Sequence, residues 1–530
     1  MRSYRLVFTL VVTIAAVVAS ALVICAQPAS ATPVSAVGPL HAQGSQLVDQ
    51  YGRTILLHGV NNVDKGDHRG PLIVPGNGYT LTDAMAGTLA HHGINSVRLG
   101  VLFSGLMPTK GHIDTDYLDR IAAQVDMLAS HGIRTLLDNH QDGLGSPWGG
   151  NGFPAWAIRA RPAAGEWNPG FPLNSAVMPS LNAGWDEVWN NTYDTQDYLA
   201  QSLAALANRV KGHAGVQGIE LINEPWPGSA YLTCFPIGCA AFDRKYQATL
   251  TKWTNAIRAK FPSVPVYWEP NVTWNETIPT YLGFSRPIPP SVVFSPHDYC
   301  IPSQLAIYMG LPSALAGACP LQQNKAWGNI DAMTARTHIP TVVTEFGDND
   351  ASVLSNTTDA ADRRFTSWQY WPPFANTYPF ESGAVADAVV RTYPQATAGT
   401  PQRMKYDTAN GDFAYRYAPR PAARPTEIYV SDIKYPNGYT VNVIGGIVTS
   451  APKARIVTIH ASGSAPVTVK INRPRSAGIT LPDGNDDGSL GSSDSSGDGS
   501  LGAMSSSSGS ESGSSSGSTA LGSVAGVLGS

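Results

Sequence analysis

The stretch GIELINEP at residues 218–225 contains the unit from which we predict the fold. Its IELI portion is typical of a short strand. Proline cannot donate a hydrogen bond within a sheet, so the strand ends at Asn223 and Glu224. An ionisable carboxyl therefore lies where a buried strand stops, beside an amide and two residues before Trp226. One polar strand end means little by itself, but several that converge are hard to explain as packing.

Seven further runs begin with apolar residues and end in polar or aromatic ones. They lie at 54–62, 96–103, 135–142, 264–271, 292–299, 341–348 and 365–371. Helical patterns fall between most of the runs, at 116–130, 195–210, 242–261 and 329–337. Alternating strands and helices predict a parallel sheet, and eight repeats predict a closed (β/α)8 barrel of the α/β class. The active site of such a barrel lies at the C-terminal strand ends, where these polar residues cluster.

The sequence changes character after the predicted barrel. After about Arg420 the runs alternate with a period of two between turn residues, which predicts a small antiparallel β-sandwich. The last part of the chain is rich in Gly, Ser and Asp, lacks aromatic residues and cannot bury enough apolar surface to order itself. We therefore expect a catalytic barrel at 38–400, a sandwich at 401–475 and a disordered tail at 476–530.

The first residues predict an exported protein. A basic start, a long apolar run and then Ala29-Ser30-Ala31 are typical of a secretory signal at residues 1–31. One alternative is an uncleaved membrane anchor, since the apolar run is long. Another is a lipid attached to Cys25, which the preceding Ile24 disfavours. We expect secretion, with association to the cell envelope as the alternative.

Removal of the signal leaves four cysteines: Cys234, Cys239, Cys300 and Cys319. An even number in an exported protein favours disulfides, and the local pairs 234–239 and 300–319 are the first expectation. A zinc site made of all four is the alternative, although the sequence lacks CxxC spacing. The net charge of −4 and the scattered Lys and Arg residues argue against nucleic acid as a partner.

Two glutamates define the predicted chemistry. Glu224 follows the fourth strand and Glu345 the seventh, so their carboxyls face each other across the barrel mouth. Paired carboxyls, one protonated and one ionised, are the minimal equipment for cleaving a glycosidic bond. Retaining enzymes hold them about 5 Å apart, and inverting enzymes about 6.5–9.5 Å.

Neighbouring residues suggest how the two carboxyls are supported. Tyr299 and Arg98 are donors that keep Glu345 ionised. Asn223 offers an amide for a sugar hydroxyl, and Trp371 offers a flat apolar face for a sugar ring. The alternatives are a structural ion pair for Arg98 and a core position for Trp371.

A metal site is the alternative for the third strand. Asp138, His140 and Asp142 alternate along it and so share a face, as metal ligands do. His140 and Asp142 serve equally well as hydrogen-bond partners of sugar hydroxyls. We expect no metal and no other cofactor.

Several motifs resemble a known enzyme family. RLG, INEP, HDY and TEFG, at 98–100, 222–225, 297–299 and 344–347, are similar to motifs of glycoside hydrolase family 5, a retaining (β/α)8 family. LLDNHQD at 136–142 resembles a strand of endoglycoceramidases. Three later segments resemble the transition of that group into its C-terminal sandwich: RTYPQATAGTP, FAYRY and TEIYVSDIKYPNGYTV, at 391–401, 413–417 and 426–441. The resemblance spans residues 37–471.

The resemblance implies roles for individual residues. Glu224 would be the acid/base and Glu345 the nucleophile of a double displacement. Four residues would bind the sugar: Lys65, His140, Asp142 and Asn223. A solvated loop lysine is the alternative for Lys65. Trp371 is preferred to Trp368 as the stacking residue because it ends its strand.

Three further expectations concern the site. His297 of the HDY motif, like Arg98, would support the carboxyls, and Tyr299 would also contact the substrate. Burial and a nearby negative charge are expected to raise the pKa of Glu224, because a general acid has to be protonated.

The loops bear on the substrate. The uncharged segment at 300–319 offers aliphatic surface beside the predicted site, which favours an amphiphile with its sugar on the catalytic side and acyl chains on the loop side. The alternative is a small core packed on the barrel wall by Leu305, Ile307, Leu311 and Leu315. Contact of the same loops with a membrane surface or micelle is a further hypothesis.

The predicted function is that of a secreted retaining β-glycosidase that cleaves the sugar–lipid bond of glycosphingolipid-type substrates. One alternative is an endo-β-1,4-glucanase or mannanase that uses the same residues on a polysaccharide. A second alternative is a non-catalytic wall protein that binds carbohydrate or lipid.

Overall fold

The computed structural model of the chain describes residues 37–65, 81–311, 315–348, 350–372, 380–474, 476 and 478–481. The predicted signal lies outside the described residues, as does the predicted tail apart from 476 and 478–481. Among the described residues, no helix is both long and apolar enough to cross a membrane.

Eight parallel strands form a barrel and follow one another around it in chain order. From first to eighth they are His58–Asn62, Ser96–Leu102, Arg134–His140, Val216–Glu220, Val266–Trp268, Val292–Phe294, Val342–Phe346 and Ser367–Tyr370. The eighth strand pairs with the first, and parallel bridges from Phe294 to Thr341 and from His297 to Glu345 close the barrel. Every residue of these strands is buried, as expected for a parallel sheet enclosed by helices. The predicted (β/α)8 fold is confirmed.

Helices connect the strands. In the described part of the chain the α-helices are Asp83–His91, Phe103–Leu106, Thr115–Ser130, Leu173–Val177, Pro179–Asn190, Thr195–Val210, Ala240–Arg258, Ile301–Tyr308, Cys319–Thr337, Ala351–Arg364 and Ala384–Val389. Short 3-10 helices lie at Ser146–Trp148, Gly228–Cys234, Val272–Glu276 and Ala316–Ala318. The helix predicted at 329–337 begins earlier, at Cys319, because Pro320 lies in its first turn, where proline is tolerated.

The barrel strands are shorter than the apolar runs predict. The sixth strand, predicted over 292–299, ends at Phe294, and Pro296 follows two residues later. The fifth strand lies between Pro265 and Pro270. Proline removes the hydrogen-bond donor that a central strand needs. The polar ends of these two runs therefore lie on loops that leave the C-terminal face of the barrel, whereas His140 and Glu345 lie within their strands.

Two antiparallel sheets form a second layer. The larger one contains, in spatial order, Leu40–Gln43, Gln46–Asp49, Thr54–Ile55, Tyr393–Thr397, Thr426–Tyr429, Ile456–Ala461 and Gly446–Val448. The smaller one contains Gly399–Tyr406, Phe413–Pro419, Val467–Asn472 and Thr440–Ile444. The larger sheet thus includes strands from before the barrel, outside the predicted range of 401–475. Strands that are far apart in the sequence pair to form this sheet, and a period-two pattern does not specify which strands pair with one another.

This second layer contacts the barrel at the N-terminal ends of its strands. The Tyr393 hydroxyl donates to the carbonyl oxygen of Gly93 at 2.7 Å. His58, the first residue of the first barrel strand, stacks on the rings of Tyr393 and Trp368 at centroid distances of 3.6 and 4.2 Å. Burial, and then the charge of Arg391, lower the pKa of His58 well below its ordinary value, so the ring is neutral. The C-terminal sheets brace the face opposite the predicted site.

Candidate active site

A cavity of about 600 Å³ opens at the C-terminal face of the barrel. Its walls contain seven of the ten site residues predicted from the sequence: Lys65, His140, Asp142, Glu224, Tyr299, Glu345 and Trp371. The other three, Arg98, Asn223 and His297, are at most 1% exposed and support that wall from behind. Trp371 reaches the cavity, whereas Trp368 is fully buried.

Both oxygens of Glu345 accept hydrogen bonds from the residues predicted to support it. The Tyr299 hydroxyl donates to Oε1 at 2.8 Å, and Arg98 Nη1 donates to Oε2 at 2.8 Å. Both oxygens of Glu345 are thus held in place by donors, as a group that attacks a substrate carbon has to be.

Arg98 is the centre of a fully buried ionic cluster. Its Nε donates to Glu220 at 2.6 Å, its Nη2 lies 3.2 Å from Asp138, and the same Nη2 donates to Asn223 at 2.8 Å. Burial alone would lower the pKa of Arg98, but Asp138, Glu220 and Glu345 raise it well above its ordinary value. Removal of one member would leave buried charges without a partner, which costs several kcal/mol.

Asn223 belongs to this cluster rather than to the cavity wall. Its Oδ1 accepts the bond from Arg98, and its Nδ2 donates to the carbonyl oxygen of Gln141 at 3.0 Å. Both ends of the amide thus have protein partners. The contact of Asn223 with a sugar hydroxyl stays a prediction.

Glu224 is held by four neighbours. Its Oε1 accepts from Asn275 Nδ2 at 2.8 Å and lies 3.1 Å from Nδ1 of His297. Its backbone N–H donates to Glu269 at 3.0 Å, and its carbonyl oxygen accepts from Gln141 at 3.1 Å. These contacts fix a residue whose φ of +39° lies in the left-handed region, which is strained for any residue other than glycine.

The pKa of Glu224 shifts in the direction opposite to the one that the sequence predicts. Burial raises this pKa, and the negative charge of Asp142 adds to the rise. The hydrogen bond and positive charge of His297, with the Asn275 amide, outweigh both and bring the pKa below its ordinary value. The expected rise is therefore wrong, because a contact between loops far apart in the sequence decides the sign.

Several supporting residues are missed by sequence reasoning, among them Glu220, Glu269 and Asn275. Glu220 is a charged residue inside a buried apolar strand, which is itself a signal that a cation lies nearby. Glu269 ends the fifth run in the motif Glu-Pro, as Glu224 ends the fourth, and this repeat is a usable signal. Asn275 lies on the 3-10 helix beyond that strand, and no sequence pattern marks it.

The two predicted catalytic carboxyls lie close together. One oxygen of Glu224, one oxygen of Glu345 and a ring nitrogen of His297 all lie within 4.8 Å of one another. This separation is near the roughly 5 Å typical of retaining glycosidases and leaves less room than the roughly 6.5–9.5 Å of inverting ones.

The same three groups are also spaced closely enough to hold a metal ion. However, Arg98 donates to Glu345 at 2.8 Å, so a fixed positive charge already lies against one of the three. That charge would repel a cation from this position.

A charged wall of the cavity lies beside Trp371. Lys65 Nζ is 2.7 Å from Asp142 and 4.8 Å from the centre of the Trp371 ring. His140 stacks against that ring at 5.7 Å, and its Nδ1 lies 2.7 Å from Asp138. Burial would lower the pKa of His140, but Asp138 and Asp142 raise it to about 9, so the ring is charged at neutral pH.

An apolar wall comes from the loops after the third to sixth strands. Its apolar members include Phe171, Leu173, Trp226, Tyr231, Val272, Ile301, Leu305 and Ile307. The alternative of a small leucine core in this region is wrong, because Leu305, Leu311 and Leu315 are 38%, 54% and 45% exposed.

The four cysteines form the two predicted disulfides, 234–239 and 300–319. Their sulfurs are therefore not thiolate ligands, so the zinc alternative is wrong. Gln322, in the first turn of the helix that begins at Cys319, donates to the carbonyl oxygens of Asn275 and Tyr299 at 2.9 Å each. One amide thus joins the loops that support both predicted catalytic carboxyls.

A (β/α)8 barrel with two carboxyls close together at its C-terminal face has the equipment of a glycoside hydrolase. Comparison with known families agrees with this class. The family described as cellulase (glycosyl hydrolase family 5) matches residues 48–373, and the glycoside hydrolase family 5 C-terminal domain matches residues 391–471.

Individual relatives show which members of the family the chain is similar to. The chain is 59% identical over 472 residues to Endoglycoceramidase I of Rhodococcus hoagii, covering 87% of this chain and 94% of the relative. It is 27% identical over 460 residues to an endoglycoceramidase of Cyanea nozakii, covering 76% and 86% of the two chains. A solved structure of endo-glycoceramidase II from a Rhodococcus species, in complex with ganglioside GM3, superposes with a TM-score of 0.70 at 25% identity, covering 82% of this chain and all of that one.

The chain belongs to glycoside hydrolase family 5. The resemblance to the endoglycoceramidase-like members of that family is confirmed, and the protein is an enzyme of the glycoside hydrolase type.

Proposed function

We propose that the protein is an exported, retaining β-glycosidase that cleaves the bond between sugar and lipid in glycosphingolipid-type substrates. The cavity carries this proposal, because Glu224 and Glu345 lie where a charged wall and an apolar wall meet. Export rests on the pattern of residues 1–31, and the two disulfides are of a kind that forms in oxidising compartments.

The known relatives support a glycolipid substrate. The relative at 59% identity is an endoglycoceramidase, and the superposed structure holds a ganglioside. A polysaccharide hydrolase would be expected to have aromatic and polar groups along an open groove. The wall of this cavity also carries branched aliphatic side chains, which suit acyl chains better: Leu173, Val272, Ile301, Leu305 and Ile307.

In the first step Glu345 attacks the anomeric carbon while the glycosidic bond breaks. Glu224 gives its proton to the leaving oxygen, so the lipid departs as an alcohol and a covalent glycosyl–Glu345 ester remains. In the second step Glu224, now a carboxylate, takes a proton from water, which attacks the same carbon and releases Glu345. Two inversions at one carbon give net retention.

The lowered pKa of Glu224 has a consequence for this cycle. The first step needs the protonated acid, and a lowered pKa confines that form to acidic solution. We therefore expect an acidic pH optimum for the first step.

We also propose that the loops around the cavity meet the surface of a bilayer or micelle. Exposed apolar side chains lie on the loops after the third, fourth and sixth strands: Phe171, Leu173, Val177, Leu232, Phe235, Ile237, Met309, Leu311 and Leu315. A lipid surface is the occupant that fits, because two of these residues continue directly into the apolar cavity wall.

Sedimentation with liposomes tests this second proposal. Replacement of Leu232 and Ile237 by serine is expected to reduce both liposome binding and activity on liposomes while activity in detergent micelles persists. Unchanged activity on liposomes would count against it.

The test of the function is hydrolysis of a series of glycosylceramides with a fluorescent acyl chain, in detergent micelles, beside soluble β-glucan and mannan. We expect release of labelled ceramide, with losses of at least about 10³-fold in Glu345→Gln and Glu224→Gln. Reducing ends from the glucan or mannan, without ceramide release, would keep the two glutamates and reject the lipid.

Retention needs its own measurement. Proton NMR of the first sugar released is expected to show the β-anomer. An α-anomer as the first product would indicate inversion and overturn the double displacement.

A further inference from the structure

A carboxyl with an unused oxygen lines the cavity next to the predicted acid. Glu276 is the last residue of the 3-10 helix Val272–Glu276 and lies on the cavity wall. Its Oε2 is buried and has no hydrogen-bond partner among the described residues. Nearly all buried polar atoms in proteins have a partner, so an exception in a cavity points to a bound group as that partner.

Glu276 is linked to the predicted acid through its chain neighbour and through charge. Its chain neighbour Asn275 donates to Glu224 Oε1 at 2.8 Å, and the charge of Glu224 acts on Glu276 itself. Glu224 marks the position of the leaving oxygen, because it is the group that protonates it. Glu276 therefore lies near the start of the leaving group.

The loop of Glu276 is on the side of the leaving lipid. The residues predicted to bind the sugar follow the first, third, fourth and eighth strands, and those on the charged wall are Lys65, His140, Asp142 and Trp371. Glu276 follows the fifth strand, and Val272 from the same 3-10 helix contributes to the apolar wall. Glu276 is thus a carboxyl in a wall whose other side chains are mostly apolar, with Asn275 and Gln304 as neutral polar members.

The surroundings of Glu276 also allow it to donate. Burial, with a smaller effect from Glu224, raises the pKa of Glu276 to about 7, so the protonated form is present in neutral and acidic solution. Burial and the charge of Glu276 raise the pKa of Tyr231 to about 12. The Tyr231 hydroxyl is therefore neutral and lies close enough to Glu276 to be affected by its charge. A protonated carboxyl both donates and accepts hydrogen bonds.

We propose that Glu276 recognises the polar group next to the scissile bond in the lipid, namely the amide or hydroxyl of a ceramide-type aglycone. In a ceramide, the amide nitrogen is on the carbon adjacent to the one that bears the glycosidic oxygen. A group that binds this amide has to lie beside the acid, as Glu276 does. The inference rests on the proposed function and adds selectivity for amide-bearing lipids over plain alkyl glycosides.

The test compares two substrates with the same sugar, lactosylceramide and dodecyl β-lactoside, in the same detergent. In Glu276→Leu we expect kcat/KM on lactosylceramide to fall about tenfold more than on dodecyl β-lactoside, since only the ceramide loses a hydrogen bond. Glu276→Gln, which keeps the shape and both hydrogen-bonding functions, is expected to recover part of the preference. Leu305→Ser is the matched control on the apolar wall and is expected to weaken both lipids alike.

The possible results distinguish a failure of this inference from a failure of the proposed function. Cleavage of lactosylceramide with an unchanged ratio between the two substrates in Glu276→Leu overturns the inference alone. Equal loss on both substrates also overturns it, because Glu276 would then act through Glu224 rather than on the amide. Failure of the wild-type protein to cleave lactosylceramide overturns the proposed function itself.

Discussion

The charged and apolar walls of the cavity hold their side chains in different ways. On the charged wall, Lys65 is ion-paired with Asp142, and His140 is bonded to Asp138 and stacked on Trp371. On the apolar wall, the side chains come from loops and keep considerable exposure, such as 41% for Phe171 and 38% for Leu305. The first wall is fixed before a ligand arrives, whereas the second retains surface that a ligand can cover.

This difference matches the two parts of the proposed substrate. A sugar presents hydroxyls in fixed directions, so recognition gains from donors and acceptors that are already oriented. Acyl chains vary in length and carry no directional groups, so they need apolar area rather than geometry. We expect strict selection of the sugar and loose selection of the lipid chains, with Glu276 as the exception on the apolar wall.

The largest effect, on the free energy of unfolding, is expected from replacing Arg98, which lies behind the charged wall. Arg98→Met leaves Glu220, Asp138 and Glu345 buried without their cation, so the free energy of unfolding should fall by about 3–5 kcal/mol. Chemical denaturation of the variant and the wild type measures this loss of free energy.

Arg209→Met is the matched control for that change, because Arg209 pairs with Asp119 at 2.7 Å on the surface. Exposed pairs contribute little, so this variant should unfold nearly as the wild type does. Similar small losses in both variants would contradict a buried ionic cluster.

A smaller effect is expected on the charged wall itself. Asp142→Asn removes the partner of Lys65 and an acceptor for a sugar hydroxyl, so kcat/KM should fall about 10- to 100-fold. The loss should be the same for aryl and lipid glycosides of one sugar. A loss confined to lipid substrates would remove the distinction between the walls. Asp116→Asn is the control, because Asp116 is exposed in the first turn of the helix Thr115–Ser130 and does not line the cavity.

The apolar wall should respond in the opposite way. Phe171→Ser removes apolar area without touching the sugar side, so the loss of kcat/KM on a glycosylceramide should exceed that on an aryl glycoside about tenfold. Steady-state kinetics on both substrates measures the ratio. Equal losses would mean that Phe171 supports the fold of the site instead.

The smallest change is a shift in the pH profile. Because His297 lowers the pKa of Glu224, its replacement by glutamine should raise that pKa. The protonated acid then persists to higher pH, so the alkaline limb of the kcat/KM profile moves to higher pH. A limb that stays in place or moves down would contradict the role of His297. His213→Gln, which changes a surface histidine bonded to Asp126, should leave the profile unmoved.

The barrel could be predicted because its signals are local. Each apolar run with a polar end corresponds to one strand and the loop after it, and the positions of Glu224 and Glu345 follow directly from that repeat. The order of the larger C-terminal sheet could not be predicted, because it pairs Thr54–Ile55 with Tyr393–Thr397 across the whole length of the barrel. Such pairing depends on the fold rather than on neighbouring residues.

Prediction from the sequence has the same limit for individual residues of the site. Type and position at a strand end identify Tyr299 and Trp371 as residues of the cavity wall, and the family resemblance adds Lys65. They do not show that Asn223 turns inward to Arg98, or that His297 reverses the pKa shift of Glu224. Both facts depend on distances between loops, and those become known only when the barrel closes.

The most direct test of the central claim is to identify the products from lactosylceramide by mass spectrometry. A cavity with a sugar-binding wall, a lipid-binding wall and the two carboxyls between them predicts intact lactose and ceramide. Galactose and glucosylceramide would mean that the bond between the two sugars is cleaved. That result would contradict the placement of the lipid on the apolar wall.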